Sequence, residues 1–325
     1  MTDVVCLRPE ADFARVGVVP PAALDIRYLA PDDPALPAAL QAAQALVIPA
    51  VGPKLPTALF EGSRIRLVQV TGAGVDRVDA AALRERGIAV TNVPGGSSEA
   101  VAEYAVACAT VLLRRFPQST AAIRRGDYAR LRAELLREGV SGLGGLLVGV
   151  AGMGVIGTAV ARRFHQSGAR IAFFDPAARD PAALAGLDGA AALDLDELLE
   201  TADIVTLHVP LLPATENLFD AARLARMKPG AILIQASRGG VVDEAALAAA
   251  LESGRLGGAA VDVYSTEPPA ADTPLLALST AAAERLILTP HVAGVTRQSW
   301  ALLFRAAWDN VVRVLVDGNP PEHAV

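Results

Sequence analysis

Residues Gly149-Val-Ala-Gly-Met-Gly-Val-Ile-Gly157, with an aspartate at 175, constrain this chain more than any other stretch. Leu146 to Ala151 is a short apolar run suited to a buried parallel strand, and Val155 to Phe164 repeats apolar residues at helical spacing. Gly152, Gly154 and Gly157 therefore fall on a strand-to-helix turn, the context a dinucleotide fingerprint requires. Gly152 permits the tight turn, Gly154 lets backbone N–H groups approach a pyrophosphate, and Gly157 lets the helix pack closely on the strand. The helix N-terminus, at Val155 and Ile156, offers unpaired N–H groups and the positive end of its dipole to phosphate. Asp175 ends the run Arg170 to Phe174, which reads as the next strand. A carboxylate there accepts from both ribose hydroxyls and repels a 2′-phosphate. NAD is thus expected over NADP, and no arginine directly follows to reverse that preference.

At 325 residues the chain has room for two domains. Its net charge is −6 and its only lysines are Lys54 and Lys228, so it has no polybasic segment to attract nucleic acid or an anionic membrane. No apolar run approaches the length of a membrane span, and the start, Met1 to Cys6, lacks the basic and long apolar regions of a secretory signal. Cys6 and Cys108 sit among apolar residues without metal-ligand spacing. They read as buried free thiols, and the cytoplasm is the expected compartment.

Short apolar strands alternate with helical stretches throughout, the pattern of parallel sheets covered by helices. Strands are expected at 4–7, 25–29, 45–48, 67–70 and 89–91. The pattern restarts at 146–151, 171–174, 204–208, 231–235, 259–261 and 286–288. Ser98 is placed to cap a helix over 99–114, Asp180 to Ala192 reads as helix and loop, and a final helix is expected over about 297–317. That last helix has no domain of its own to pack on. The chain therefore reads as discontinuous, with 1–98 and 293–325 forming one domain and 99–292 inserted between them. The two crossings would act as hinges around a cleft.

Of the four histidines, His165 lies late in a helix, on its exposed side, and His323 sits in the tail. His208 and His291 follow strands, at the edge where open α/β sheets bind ligands. His208 reads equally as cofactor wall or as a structural residue; His291, on the proposed hinge, is the expected acid/base. Such a base needs a carboxylate to fix its tautomer and stabilise its cationic form. Glu267 follows a strand end and fits that role, and also fits that of an exposed loop acid. Arg238 ends an apolar run among small residues. Its guanidinium suits bidentate capture of a carboxylate, or a salt bridge to Asp243 or Glu244. Lys54 and Lys228 are poorly placed for Schiff-base chemistry, with Lys228 beginning a strand. No metal-ligand cluster, Gly-x-Ser-x-Gly elbow or phosphate-binding GxxxxGK[ST] loop is found, so no metal is expected.

These blocks together resemble the D-isomer-specific 2-hydroxyacid dehydrogenases over nearly the whole chain. They are Thr71-Gly-Ala-Gly-Val-Asp76, Asn92-Val-Pro94 with Glu99-Ala-Val-Ala-Glu103, the fingerprint, and His208-Val-Pro-Leu-Leu-Pro-Ala-Thr215. Ala236-Ser-Arg-Gly239, Asp262-Val with Glu267-Pro268, and Thr289-Pro-His291 complete the series. The resemblance implies two Rossmann-like domains, with the cofactor domain inserted into a flavodoxin-like substrate domain, and a homodimer formed through the arm at 114–145. It implies His291 as acid/base, Glu267 as its partner and Arg238 as anchor of the substrate carboxylate and C2 oxygen, with the N–H groups of Ala73 and Gly74 holding that carboxylate. Asp262 is expected near the nicotinamide carboxamide. Pro210, Thr215, Ala236, Gly294 and His208 are expected to line NAD together with Arg238 and His291.

The chain departs from the family at Gln235, which replaces a common Asn, at Tyr128, which replaces a frequent Trp, and in a longer alanine-rich loop over 270–285. It ends at Val325, so no added regulatory domain is expected. The reaction implied is NAD-dependent interconversion of a D-2-hydroxy acid and its 2-oxo acid, of the glyoxylate, hydroxypyruvate or phosphoglycerate type. Its rivals are a formate dehydrogenase-like enzyme, whose histidine typically pairs with glutamine, and an NAD-sensing corepressor-like binding protein. The loops at 51–56, 70–75 and 296–300 are largely apolar and favour a small or uncharged substrate side chain, with Arg64 and Arg297 within possible reach.

Overall fold

Strands in this chain form along the expected apolar stretches, except for the two-residue strand Ala191–Ala192, which falls where helix and loop were expected and pairs with Ala172 and Phe173. Every pairing between strands is parallel. The computed structural model describes residues 3–177 and 184–325. It divides into two compact units, Met1–Ser97 with Val295–Val325, and Ser98–Gly294. Part of the helix-and-loop expectation at 180–192 lies outside the described residues.

In the first unit β1 (Val4–Cys6), β2 (Ile26–Tyr28), β3 (Ala45–Ile48), β4 (Leu67–Val70) and β5 (Ala89–Thr91) form a sheet in the order β2-β1-β3-β4-β5. Alternate residues face opposite ways, as the pleat requires. Val5, Leu46, Ile48, Val68 and Val90 meet Leu40 and Leu83 on one face. Val4, Cys6, Ala45, Val47 and Leu67 meet Phe13, Phe304, Trp308 and Val311 on the other. The last three belong to the C-terminal helix Arg297–Leu315, capped by Thr296. The far end of the chain thus supplies much of one layer of the first unit's core, together with Phe13 of the helix Glu10–Arg15.

The second unit holds β6 (Leu147–Ala151), β7 (Arg170–Phe174), β8 (Ala191–Ala192), β9 (Ile204–Leu207), β10 (Ile232–Gln235), β11 (Gly258–Val261) and β12 (Leu286–Leu288). Their order, β12-β11-β10-β9-β6-β7-β8, reverses direction at β6. That reversal is the switch point at which doubly wound sheets open a crevice.

Several local expectations need correction. Ser98 does not cap the helix that follows; it is the first residue of the helix Ser98–Leu113 and is buried. Lys228 lies in the turn before β10, paired with Asp203 at 2.5 Å, and does not begin the strand. The loop at 270–285 is partly ordered by a 3₁₀ turn, Pro274–Leu276, and a short helix, Thr280–Ala283, because Leu275 and Ala282 are buried in the sheet's core cluster. His165 is half-buried, not on an exposed face. His323 lies in a tail docked on β5, where Val325 N–H donates to Val90 O at 2.9 Å. Cys6 and Cys108 are buried and free, and burial pushes their thiols up to about 12 and about 11.

Candidate active site

Four neighbouring strands, β9 to β12, end at one edge of the second sheet, and each is followed by a residue singled out by chemistry. His208 follows β9, Arg238 follows β10, Asp262 and Glu267 follow β11, and His291 follows β12.

Local bonding ties the last three turns together. Gln235, where the family pattern has Asn, accepts from Ser237 N–H at 3.2 Å and Ser237 Oγ at 2.7 Å, and donates to Arg238 O at 2.9 Å. Its longer side chain thus shapes the turn that carries Arg238. Gly239 then runs so close to the backbone of Tyr264 and Ser265 that any Cβ would overlap the Tyr264 carbonyl. The arginine turn and the turn leading to Glu267 are therefore packed backbone to backbone. The rival roles for Asp243 and Glu244 are filled elsewhere. Asp243 caps the helix Glu244–Glu252, and Glu244 accepts from Ser265 N–H at 2.6 Å and Thr273 Oγ1 at 2.9 Å.

Glu267 meets His291 squarely. Nδ1 of His291 lies 3.0 Å and 2.9 Å from the two carboxylate oxygens, and Oε1 also accepts from Tyr264 N–H at 3.1 Å. A carboxylate against Nδ1 fixes the proton there in the neutral ring and leaves Nε2 for a ligand. Both side chains keep about a quarter of their surface exposed, 25% and 28%, so the pair is reachable from solvent.

The backbone at His291 has φ +53°, the left-handed region that a non-glycine residue avoids. Such a residue costs on the order of 1–3 kcal/mol and persists only when its surroundings over-determine it. Asp262 does that here. Its carbonyl accepts from His291 N–H at 2.8 Å. Its carboxylate, buried, accepts from Thr289 Oγ1 at 2.5 Å, Val292 N–H at 2.8 Å and Ala293 N–H at 2.8 Å. Asp262, expected beside a nicotinamide, is thus engaged in holding the turn that presents His291. Two tyrosines extend the clamp. Tyr264 Oη donates to Thr289 O at 2.9 Å. Thr289 gives its single hydroxyl proton to Asp262, so the Tyr104 hydroxyl, 2.8 Å away, donates to Thr289. Sequence reasoning passed over Tyr104, Thr289, Tyr264 and the function of Gln235.

The rest of the edge suits a dinucleotide. A Cβ on Gly157 would fall on the carbonyl of Gly152, and one on Gly152, where φ is +92°, on that of His208; only glycine fits at either place. Gly154, by contrast, has open space beside it and caps the helix Val155–Gln166, whose first turn holds no acid. Asp175 stands just past β7 and accepts from Met153 N–H at 2.6 Å and Ala177 N–H at 2.7 Å. Val155, Leu211 and Leu212 are exposed, and Thr215 Oγ1 donates to Pro210 O at 2.6 Å to close the turn carrying both leucines. His208 is engaged within its own strand, Nε2 lying 2.8 Å from Thr206 Oγ1, while its Nδ1 is buried without a partner. Burial pushes its pKa down to about 3, so the ring is neutral at ordinary pH. In the first unit, Ala73 and Gly74 lie in the half-buried loop after β4, where Asn92 Nδ2 donates to Ala73 O at 2.6 Å.

Residues 106–293 match the family profile described as D-isomer specific 2-hydroxyacid dehydrogenase, NAD binding domain. The chain belongs to this family. Among relatives of this dehydrogenase family, the (S)-sulfolactate dehydrogenase of Chromohalobacter salexigens is 40% identical over 252 residues, 77% of this chain and 78% of that one. The D-3-phosphoglycerate dehydrogenase of Archaeoglobus fulgidus is 34% identical over 262 residues, 80% of this chain; the chain spans about half of that relative's length, 47%. Over the whole fold, the D-lactate dehydrogenase of Aquifex aeolicus, solved with NAD and lactic acid, superposes with a TM-score of 0.82 at 26% identity, covering 98% of this chain and 96% of the other. The family's cofactor is NAD, and the glycine turn, Asp175 and the helix N-terminus are the residues here that fit it. Among the described residues no helix is long and apolar enough to cross a membrane.

Proposed function

We propose that this chain is an NAD-dependent oxidoreductase interconverting a D-2-hydroxy acid and its 2-oxo acid. The observation that carries this reading is the contact of His291 Nδ1 with both oxygens of Glu267, at 3.0 Å and 2.9 Å. A formate dehydrogenase-like enzyme would be expected to place glutamine at that position.

Bound nicotinamide supplies or accepts the hydride. In reduction, Nε2 of protonated His291 gives a proton to the C2 oxygen and the ring becomes neutral; Glu267 stabilises the ring while it is positive and keeps the Nδ1 proton in place afterwards. Arg238 binds the substrate carboxylate and polarises the C2 oxygen, drawing electron density from the carbon to be reduced. The N–H groups of Ala73 and Gly74 hold the same carboxylate. Gly152, Gly154, Val155, Ile156, Gly157 and Asp175 bind the dinucleotide, with Pro210, Thr215, Ala236 and Gly294 along its length. In this reading residues 1–98 and 293–325 form the substrate domain and 99–292 the NAD domain.

We further propose a homodimer made through the arm that follows Arg114. Phe116, Ile123, Tyr128 and Leu136 are exposed there, and the helix Tyr128–Glu138 buries none of its residues. A lone amphipathic helix of this length gains little unless its apolar side is covered. The buried free thiols favour the cytoplasm. Initial rates with a panel of 2-oxo acids, formate and both reduced nicotinamides test the main reading. Oxo acid reduction preferring NADH supports it, and turnover of formate alone, or of nothing, overturns it.

A further inference from the structure

The first sheet has a switch point of its own. Its order β2-β1-β3-β4-β5 diverges between β1 and β3, and in such sheets ligands settle outside the carboxyl ends of the strands at that place. Two arginines converge there. Arg8, two residues past β1, donates from Nε to Thr71 Oγ1 at 3.2 Å and from Nη1 to Asp12 at 3.0 Å. Its guanidinium lies 5.2 Å from the Trp300 ring centre and 4.7 Å from that of Phe304, which leaves it little freedom to turn away. Arg77 donates from Nε to Pro53 O at 2.9 Å and from Nη1 to Pro49 O at 3.2 Å, both on the loop after β3. It is 97% buried by its 3% residual exposure, and its Nη2 has no partner at all.

The balance of charge is incomplete. Asp12 is the one carboxylate bonded to either guanidinium among the described residues. Burial, and then the charge of Arg8, lower the pKa of Arg77 from its usual value. A buried cation with an idle donor is costly to keep and gains when an anion arrives. A guanidinium fork also matches the geometry of an oxyanion. The cover over Arg77 is slight: Gly52, at φ +133° in an exposed run from Val51 to Lys54, stands so close that a Cβ there would come within 3.2 Å of the guanidinium carbon.

We infer that Arg77 and Arg8 form an oxyanion-binding site at the β1/β3 switch point of the first unit, receiving a carboxylate, sulfonate or phosphate group. The apolar sequences at 51–56 and 70–75 hide it, because the cation that fastens the first loop comes from position 77. The group has two possible sources, the far acidic end of a doubly charged substrate or a free oxyanion. The first source rests on the proposed oxidoreductase reading; the second does not.

One experiment separates them. With NAD+ saturating, so that the glycine turn is filled, inorganic phosphate at ~20 mM should raise the unfolding midpoint by about 2 °C or more over chloride at matched ionic strength. Alongside, kcat/KM is measured for a 2-oxo acid with one acidic group and for one with two. If the substrate is the source, the doubly charged acid should be preferred by about tenfold or more, the worth of one good charged contact. The Arg77→Met variant should lose the phosphate shift, or the preference ratio, whichever is seen; Arg77→Lys should keep part of it, which guards against a merely unfolded variant. A phosphate shift without preference identifies a free anion as ligand, and preference without a shift identifies the substrate. No shift and no preference in the parent, or either one surviving Arg77→Met in a folded protein, overturns the site. If no 2-oxo acid is reduced, the oxidoreductase reading fails, and the phosphate measurement alone decides the site.

Discussion

The turns after β9 and after β12 each carry a histidine at the same edge of the same sheet, and their surroundings differ in kind. His208 has a strand hydroxyl on one nitrogen, and its other nitrogen is buried without a hydrogen-bond partner. Its ring is held neutral down to about pH 3. His291 has a carboxylate on Nδ1, a partly open ring and a left-handed backbone clamped by Asp262. Position at a strand end therefore does not by itself suit a histidine to carry a proton. A carboxylate on one nitrogen and a second nitrogen left for a ligand do.

The sharpest test of this contrast is to remove each ring in turn. Proton transfer by a placed side chain is worth about 10²–10⁴ in rate. His291→Ala should reduce turnover of 2-oxo acids by that factor, while NADH binding, read by fluorescence titration, stays close to the parent's. Glu267→Gln should give a smaller loss in the same direction, because the ring remains and only its charge stabilisation is gone. A His291→Ala variant with near-parent rates would erase the distinction between the two histidines.

His208 should dominate stability towards acid instead. The unfolded ring takes a proton near 6.5 and the folded one only near 3. Between those values the unfolded chain holds one more proton, so stability falls as pH falls. The expected slope is about 1.4 kcal/mol per pH unit for one proton. His208→Gln cannot take up that proton and should flatten this part of the profile, read by urea unfolding between about pH 4 and about pH 6. An unchanged slope in the variant would mean that other groups carry the acid sensitivity.

The sequence made the chemistry-bearing positions visible for a physical reason. Glycines at a turn, an acid at a strand end and a histidine after an apolar run are local patterns, and each constrains its own backbone. The supports of the site are not local. Tyr104 reaches Thr289 across 185 residues, and nothing in its own helix distinguishes it from a packing tyrosine. Gln235 looked like a mere departure from a family pattern, and only its bonds to Ser237 and Arg238 give it a task. Arg77 was hidden because its partners are backbone carbonyls, which leave no mark on side-chain chemistry. The final helix was legible as a piece without a domain, and its place in the first unit's core follows from Phe304 and Trp308 having nowhere else to be buried.

The clamp behind His291 gives the smallest predicted effect and the finest test of the comparison. Tyr104→Phe deletes one hydroxyl that donates to Thr289 and leaves the ring in place. Loss of a neutral hydrogen bond of this type costs about 1 kcal/mol of stability. If the bond acts only as packing, unfolding free energy should drop and kinetics should not change. If it helps hold the turn, Thr289 gains freedom, Asp262 loses alignment with Val292 and Ala293, and His291 is presented less well. That outcome lowers kcat more than it raises KM, because the proposed carboxylate anchor, Arg238, is left untouched, and it spares His208, whose acid profile should be the parent's. A variant in which both histidine readouts move together would show that the two turns are one mechanical unit, and the contrast drawn between them would then be one of chemistry alone.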